Sequence, residues 1–196
     1  MNKKKISIFL NILIIILEII GLFLSVKSLG TNVFIYYTQL SNLFLLVTAI
    51  LYLFKDYIKS RIIDIMKFGS TLSVLITFLV VIFVLGPTTN LGYKWLLLEG
   101  ANLLYHITCP ILAVITFLFF DNIKIKGFKD VLGAFVFTLV YSIVFILLNI
   151  FGVLEGPYPF LMVRSNPIYE SIFWIVVIDG GAILLGYILE KIKNKI

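Results

Sequence analysis

"MNKKKISIFLNILIIILEII", residues 1–20, can be read in two ways, and the choice decides the fold. Lysines ahead of an apolar run can open a secretory leader or a membrane helix held at the cytoplasmic face. Here the apolar run continues to about residue 26, Glu18 interrupts it, and no small-x-small cleavage site follows. A first transmembrane helix is therefore expected, not a removed segment.

The rest of the chain repeats the pattern. Of its 196 residues, 61% are hydrophobic and 13% charged, against roughly 45–50% and about 25% in soluble domains. A spanning helix needs about 20 mainly apolar residues, and six stretches qualify: about 6–26, 35–54, 62–85, 96–119, 131–151 and 171–190. They lack the alternation of barrel strands, and a lipid-facing backbone must satisfy its own hydrogen bonds, so helices are expected. The expected fold is an all-α membrane protein: one transmembrane domain over 1–196, built as a six-transmembrane-helix bundle. The short connections make sequential helices antiparallel neighbours.

Charge orients the bundle. Lys3, Lys4, Lys5, Lys55, Lys59, Arg61, Lys67, Lys124, Lys126, Lys129, Lys191, Lys193 and Lys195 fall on one side, leaving only Lys27, Lys94 and Arg164 on the other. The positive-inside rule then puts both termini in the cytoplasm of a multi-pass cell-membrane protein, with a bacterial inner or plasma membrane as the expected location. The net charge of +6 reads as a topology signal with anionic lipid headgroups as its partner, not nucleic acid. A single cysteine excludes an internal disulfide framework. With one histidine beside it, no zinc set is present, and neither metal nor cofactor is expected.

Ionisable groups inside a bilayer are costly, so each one needs a reason. Glu18, His106 and Asp179 are the candidates, in the company of Thr38, Gln39, Ser41, Asn42, Asn102 and Asn149. At 1.5 Å per residue, Thr38 should lie ~5 Å, His106 ~13–15 Å, and Asp179 and Glu18 each roughly 12 Å below the outer boundary. Glu99, Asn102 and His106, spaced i, i+3, i+7, form one expected stripe on helix 4. Thr38, Ser41 and Asn42 form another on helix 2. Stripes that avoid lipid face the bundle interior, which predicts a polar pocket opening outward. The inner half of the helices reads as almost uniformly apolar, which argues against a channel.

These residue types can support acyl transfer. A neutral imidazole at His106 can take a proton from a Thr or Ser hydroxyl. A carboxylate on its other nitrogen would fix the tautomer, and Glu18, Glu99 and Asp179 are all available. Asn42, Asn102 or a backbone N–H could stabilise an oxyanion. Cys109 is a rival nucleophile, although a buried cysteine more often packs as a small hydrophobe. The plain alternative is that these groups only hold helices together, for about 0.6 kcal/mol each. The longest outer connection, 152–170, carries three of the five prolines and is expected either to fold back onto the outer mouth or to form an aromatic belt.

Three short motifs add to this: "YYTQLSNLF" (36–44), "LLYHITCPIL" (103–112) and "GPYPFL" (156–161). In this order and at these topological places, they resemble the androgen-induced-gene family of integral-membrane threonine hydrolases, in particular its bacterial branch, with T-x-x-S-N, L-H-x-x-x-P and Y-P-F-L patterns. Animal members hydrolyse fatty acid esters of hydroxy fatty acids with a threonine nucleophile and an essential histidine. The resemblance implies Thr38 as nucleophile, His106 as base, and a lipid or other acyl ester as substrate. The chain departs from the animal pattern in three ways. Ser41 and Asn42 follow the threonine where an acidic residue is usual, Asn102 stands near an additional histidine, and the spacing to the following proline differs by one. Physiological substrate, acyl acceptor and oligomeric state stay open. The competing expectation is a non-catalytic membrane protein that binds a lipid or small solute in an outward-opening polar pocket, and a third is a structural subunit of a larger complex.

Overall fold

The computed structural model describes residues 2–58 and 60–196, and no strand occurs among them. Lys59, counted above for orientation, lies outside the described residues. Among the described residues, five helices are long and apolar enough to cross a membrane: α1 (Lys3–Phe34), α3 (Arg61–Thr88), α4 (Leu103–Phe120), α5 (Phe128–Ile150) and α6 (Ile168–Lys195). Between the first two lies α2 (Tyr37–Leu53), apolar but 17 residues long, about 25 Å at the helical rise.

α3 is the central helix. It packs against α2, α4, α5 and α6, and 61% of its apolar window is buried against 17% for α6. Its N-terminus is closed by Ser60, whose side chain accepts from Ile62 N–H, and is tied to α5 by Arg61, which grips both Asp130 oxygens at 2.5 and 2.7 Å.

α1 shows how inside and outside are arranged. Its buried face is Ser7, Asn11, Ile14, Glu18, Gly21 and Ser25, spaced alternately four and three apart, one stripe on a helix. Its exposed face carries Phe9, Ile12, Ile16, Ile19, Ile20 and Phe23. Polar residues inward and large apolar residues outward invert the soluble pattern and suit a lipid surround. Gly21 makes the α1–α4 contact possible: a Cβ there would come within 2.3 Å of the buried Tyr105 ring. Gly21→Val is expected to push α4 away at about 1–3 kcal/mol, the usual cost of overpacking, read as a lower unfolding temperature in detergent.

Several helices contain wide π-type turns. Val81–Leu85 precedes Pro87, and Leu103–Thr108 precedes Pro110. Proline lacks an N–H and crowds the carbonyl four residues back, so the ladder widens ahead of it. A third wide turn, Val176–Gly180, runs into the Gly180–Gly181 pair and carries Asp179. π-type turns recur at functional sites, and here two of them hold His106 and Asp179.

Helix 4 of the sequence reading needs correction. The stretch expected as 96–119 is broken. A short helix, Tyr93–Leu98, stops at Glu99, whose backbone is extended (ψ 135°), and Gly100 turns the chain at φ 57°. α4 proper starts at Leu103. Glu99 is exposed and does not share a helical stripe with Asn102 and His106. The later start also removes most of the expected depth difference. Thr38 is the second residue of α2 and His106 the fourth of α4.

Candidate active site

At the end of the bundle away from the lysine-rich face, a cavity opens between α2, α3, α5, α6 and the 152–167 connection. The room inside it for water-sized molecules is about 40 Å³. Most of its wall is aliphatic or aromatic. Polar groups gather at Thr38, Thr138, Ser142, Tyr158 and Asp179.

Thr38 sits in the first turn of α2, where backbone N–H groups have no partner within the helix. Its N–H donates to the Tyr158 hydroxyl at 3.3 Å. Tyr158 comes from the Y-P-F-L motif, which folds back over the bundle and does not float as a belt: Tyr158, Phe160 and Leu161 are all buried. Tyr158 stacks on Phe160 at 5.1 Å between ring centroids and meets Tyr36 edge-on at 6.2 Å. Burial raises the Tyr158 hydroxyl above its ordinary pKa, so it stays a neutral donor and acceptor at physiological pH. The turn depends on Gly156, where a Cβ would meet the Leu161 backbone at 2.6 Å. Gly156→Ala is expected to lift Tyr158 from Thr38, read as new protease cleavage within 152–167.

His106 is buried in the wide turn of α4, and its Nδ1–H donates to the Leu96 carbonyl. A carbonyl only accepts, so the proton is on Nδ1, and neutral Nε2 is left as an acceptor without a protein partner. Asn102 does a parallel job, donating to the Trp95 carbonyl at 2.8 Å. Together they close the C-terminal end of the short helix Tyr93–Leu98. The carboxylate expected behind the imidazole is absent: Glu18, Glu99 and Asp179 form no hydrogen bond with it. Leu96 O stands there instead.

Thr38 and His106 are brought into one neighbourhood without touching. No hydrogen bond joins them. The Asn42 amide links their backbones, donating to Thr38 O at 2.7 Å and to Tyr105 O at 3.4 Å. Asn42 therefore positions the two helices and does not point a free donor at an oxyanion. Ser41 is turned away from the cavity wall, bonded to Thr38 O and Thr77 at 3.0 Å each. Asp179 accepts from Ser142 at 3.0 Å and lines the same cavity as Thr38. His106 does not line it.

Two groups of functional interest escaped the sequence reading. Tyr158 stood in a quoted motif, which was its signal. The second is a buried polar set toward the lysine-rich end, where the helices were expected to be almost uniformly apolar. Lys67, counted there as a topology residue, is fully buried. Asn11 and Ser7 converge on Asp121 Oδ1 at 2.9 and 2.6 Å. Glu18 lies on the same α1 stripe, against Tyr105 and Cys109 of α4.

No family model, curated protein or solved structure matches the chain.

Proposed function

We propose that the chain is an integral-membrane lipid-ester hydrolase of six spans, α1 to α6, with both termini cytoplasmic in a bacterial inner or plasma membrane. Thr38 is the nucleophile and His106 the base. The sixth span is α2, short because its N-terminal end is set below the mouth and covered by the 152–167 connection. The lysine distribution supports the orientation.

The observation that carries this reading is the position of Thr38. It lies among the polar groups of a mostly apolar cavity, in the first turn of a helix whose N–H groups point toward developing negative charge. The aliphatic walls suit an acyl chain, which parts them on entry while its ester carbonyl meets Thr38. The Thr38 hydroxyl adds to that carbonyl as its proton passes to His106 Nε2. The imidazolium then returns the proton to the leaving alcohol, and water repeats the sequence to release the acid. Because Thr38 and His106 are not bonded at rest, the proton crosses by a bridging water or a small closure at the wide turn 103–108; resting enzymes often hold such pairs long. With Leu96 O in place of a carboxylate, the imidazolium gains less stabilisation than in a full triad.

A second reading, a non-catalytic binder of a lipid or small solute, is favoured by the missing Thr38–His106 bond and by the role of His106 in closing the short helix. Mass spectrometry of fatty acid released from a panel of single-chain acyl esters separates the two. Hydrolysis predicts release by wild type that Thr38→Ala abolishes. Saturable ester binding without release from any ester supports the binder.

A further inference from the structure

The polar set toward the lysine-rich end has features that helix packing does not explain. Lys67 Nζ, both Glu18 carboxylate oxygens, Asp121 Oδ2 and Asn11 Oδ1 are buried with no hydrogen-bond partner among the described residues. Leaving such groups unpaired costs several kcal/mol each by general experience, more than a bundle of this size spends without return. An intramembrane ionisable residue is by default a candidate functional site.

Their arrangement forms a path. A polar mouth of about 410 Å³ opens at the lysine-rich end and is walled by Ser7, Tyr52 and Asp121 together with the charged Lys3, Lys4, Lys55 and Asp56. Behind it Asp121 is held by Ser7 and Asn11 through one oxygen, which leaves Oδ2 unpaired. The charges that act on Lys67 are Asp121 and Glu18, and the Tyr52 ring lies 6.0 Å from its Nζ. Other ionisable groups surround the set: Cys109 of α4 beside Glu18, and Lys193 of α6, which donates to the Asp121 backbone carbonyl at 2.8 Å. Asp130 of α5 is engaged by Arg61 at the base of α3. Beyond Glu18, Tyr105 closes the interior; its ring lies against Gly21 and its hydroxyl donates to the Glu18 backbone at 3.2 Å.

We propose that Asp121, Lys67 and Glu18 form a proton-exchange site, open to water at the lysine-rich end and closed beyond Glu18. The ligand is a proton: the groups behind the mouth are buried bases whose Oδ2, Nζ and carboxylate oxygens have no hydrogen-bond partner among the described residues. A proton leaves hydronium or a buffer acid in the mouth and binds Asp121 Oδ2. It then moves on to Lys67 and Glu18, which together gain one positive charge, and returns by the same route. The site is separate from Thr38 and stands whether or not the chain hydrolyses esters.

The test is infrared difference spectroscopy on the full chain in lipid vesicles, titrated from alkaline to acid. The expected result is a buried protonated-carboxyl band that Glu18→Gln removes and whose midpoint Lys67→Met moves by about one pH unit or more, the scale of a neighbouring charge. Asp121→Asn is expected to slow the appearance of the band after a pH jump by about a hundredfold, the scale of one positioned proton-transfer group. No band, or a band whose midpoint Lys67→Met leaves in place, overturns the proposal. If Glu18→Gln does not fold, the Lys67→Met midpoint and the Asp121→Asn rate decide alone.

Discussion

Thr38→Ala is expected to lower ester hydrolysis by about 10⁴-fold or more, the usual scale for loss of a nucleophile, with little change in how tightly the ester binds. The cavity wall is mostly aliphatic and aromatic, and removal of one hydroxyl leaves it intact. The Thr38 N–H that meets Tyr158 and the carbonyl that receives Ser41 and Asn42 are backbone groups, so alanine keeps all three hydrogen bonds. The loss should therefore appear in kcat and not in folding. Thr38→Ser restores a hydroxyl and should recover most of the rate. Steady-state release of fatty acid, beside the unfolding temperature in detergent, checks both parts. A rate unchanged in Thr38→Ala would remove the nucleophile from the account.

His106→Asn is expected to cut turnover by about 10²–10⁴-fold while the protein stays folded. The two jobs of the imidazole lie on different nitrogens. Nδ1–H closes the helix Tyr93–Leu98 through Leu96 O, and Nε2 is the proposed base. The asparagine amide reaches the Nδ1 position and can donate to the same carbonyl, yet has no proton acceptor at the Nε2 position. His106→Ala loses both jobs and should lose stability as well, about 1–3 kcal/mol for a buried carbonyl left unpaired. Comparing the two variants separates chemistry from capping. Equal unfolding temperatures would show that the Leu96 contact carries little stability, and full activity in His106→Asn would mean that the imidazole is only a cap.

The apolar stretches were legible because spanning length and hydropathy are local properties. Five of the six stretches fall on single helices and the fourth is broken at Gly100, and among the described residues five helices reach spanning length. Errors came where a backbone event outweighs composition. Gly100 at positive φ breaks the apparent fourth helix, and no hydropathy window sees a single glycine. That break separated Glu99 from His106 and brought His106 up to the level of Thr38. A lysine six residues into a helix resembles an interfacial anchor, and only its complete burial in the folded bundle shows that it points inward. The α1 stripe from Ser7 to Ser25 was present in the spacing, but serine, asparagine and glycine among isoleucines draw little attention until the exposed face is seen to be entirely apolar. Asn42 was placed on the interior face correctly, and its partners, two carbonyls on different helices, could come only from three dimensions.

The most direct test of the account is covalent labelling of the detergent-purified protein with a lipophilic fluorophosphonate, comparing wild type, Thr38→Ala and His106→Asn. The account predicts labelling of wild type at Thr38, none in Thr38→Ala, and at most a trace in His106→Asn. Absence of labelling in the wild type, or labelling indifferent to both substitutions, would contradict an activated threonine and leave the cavity as a lipid-binding site.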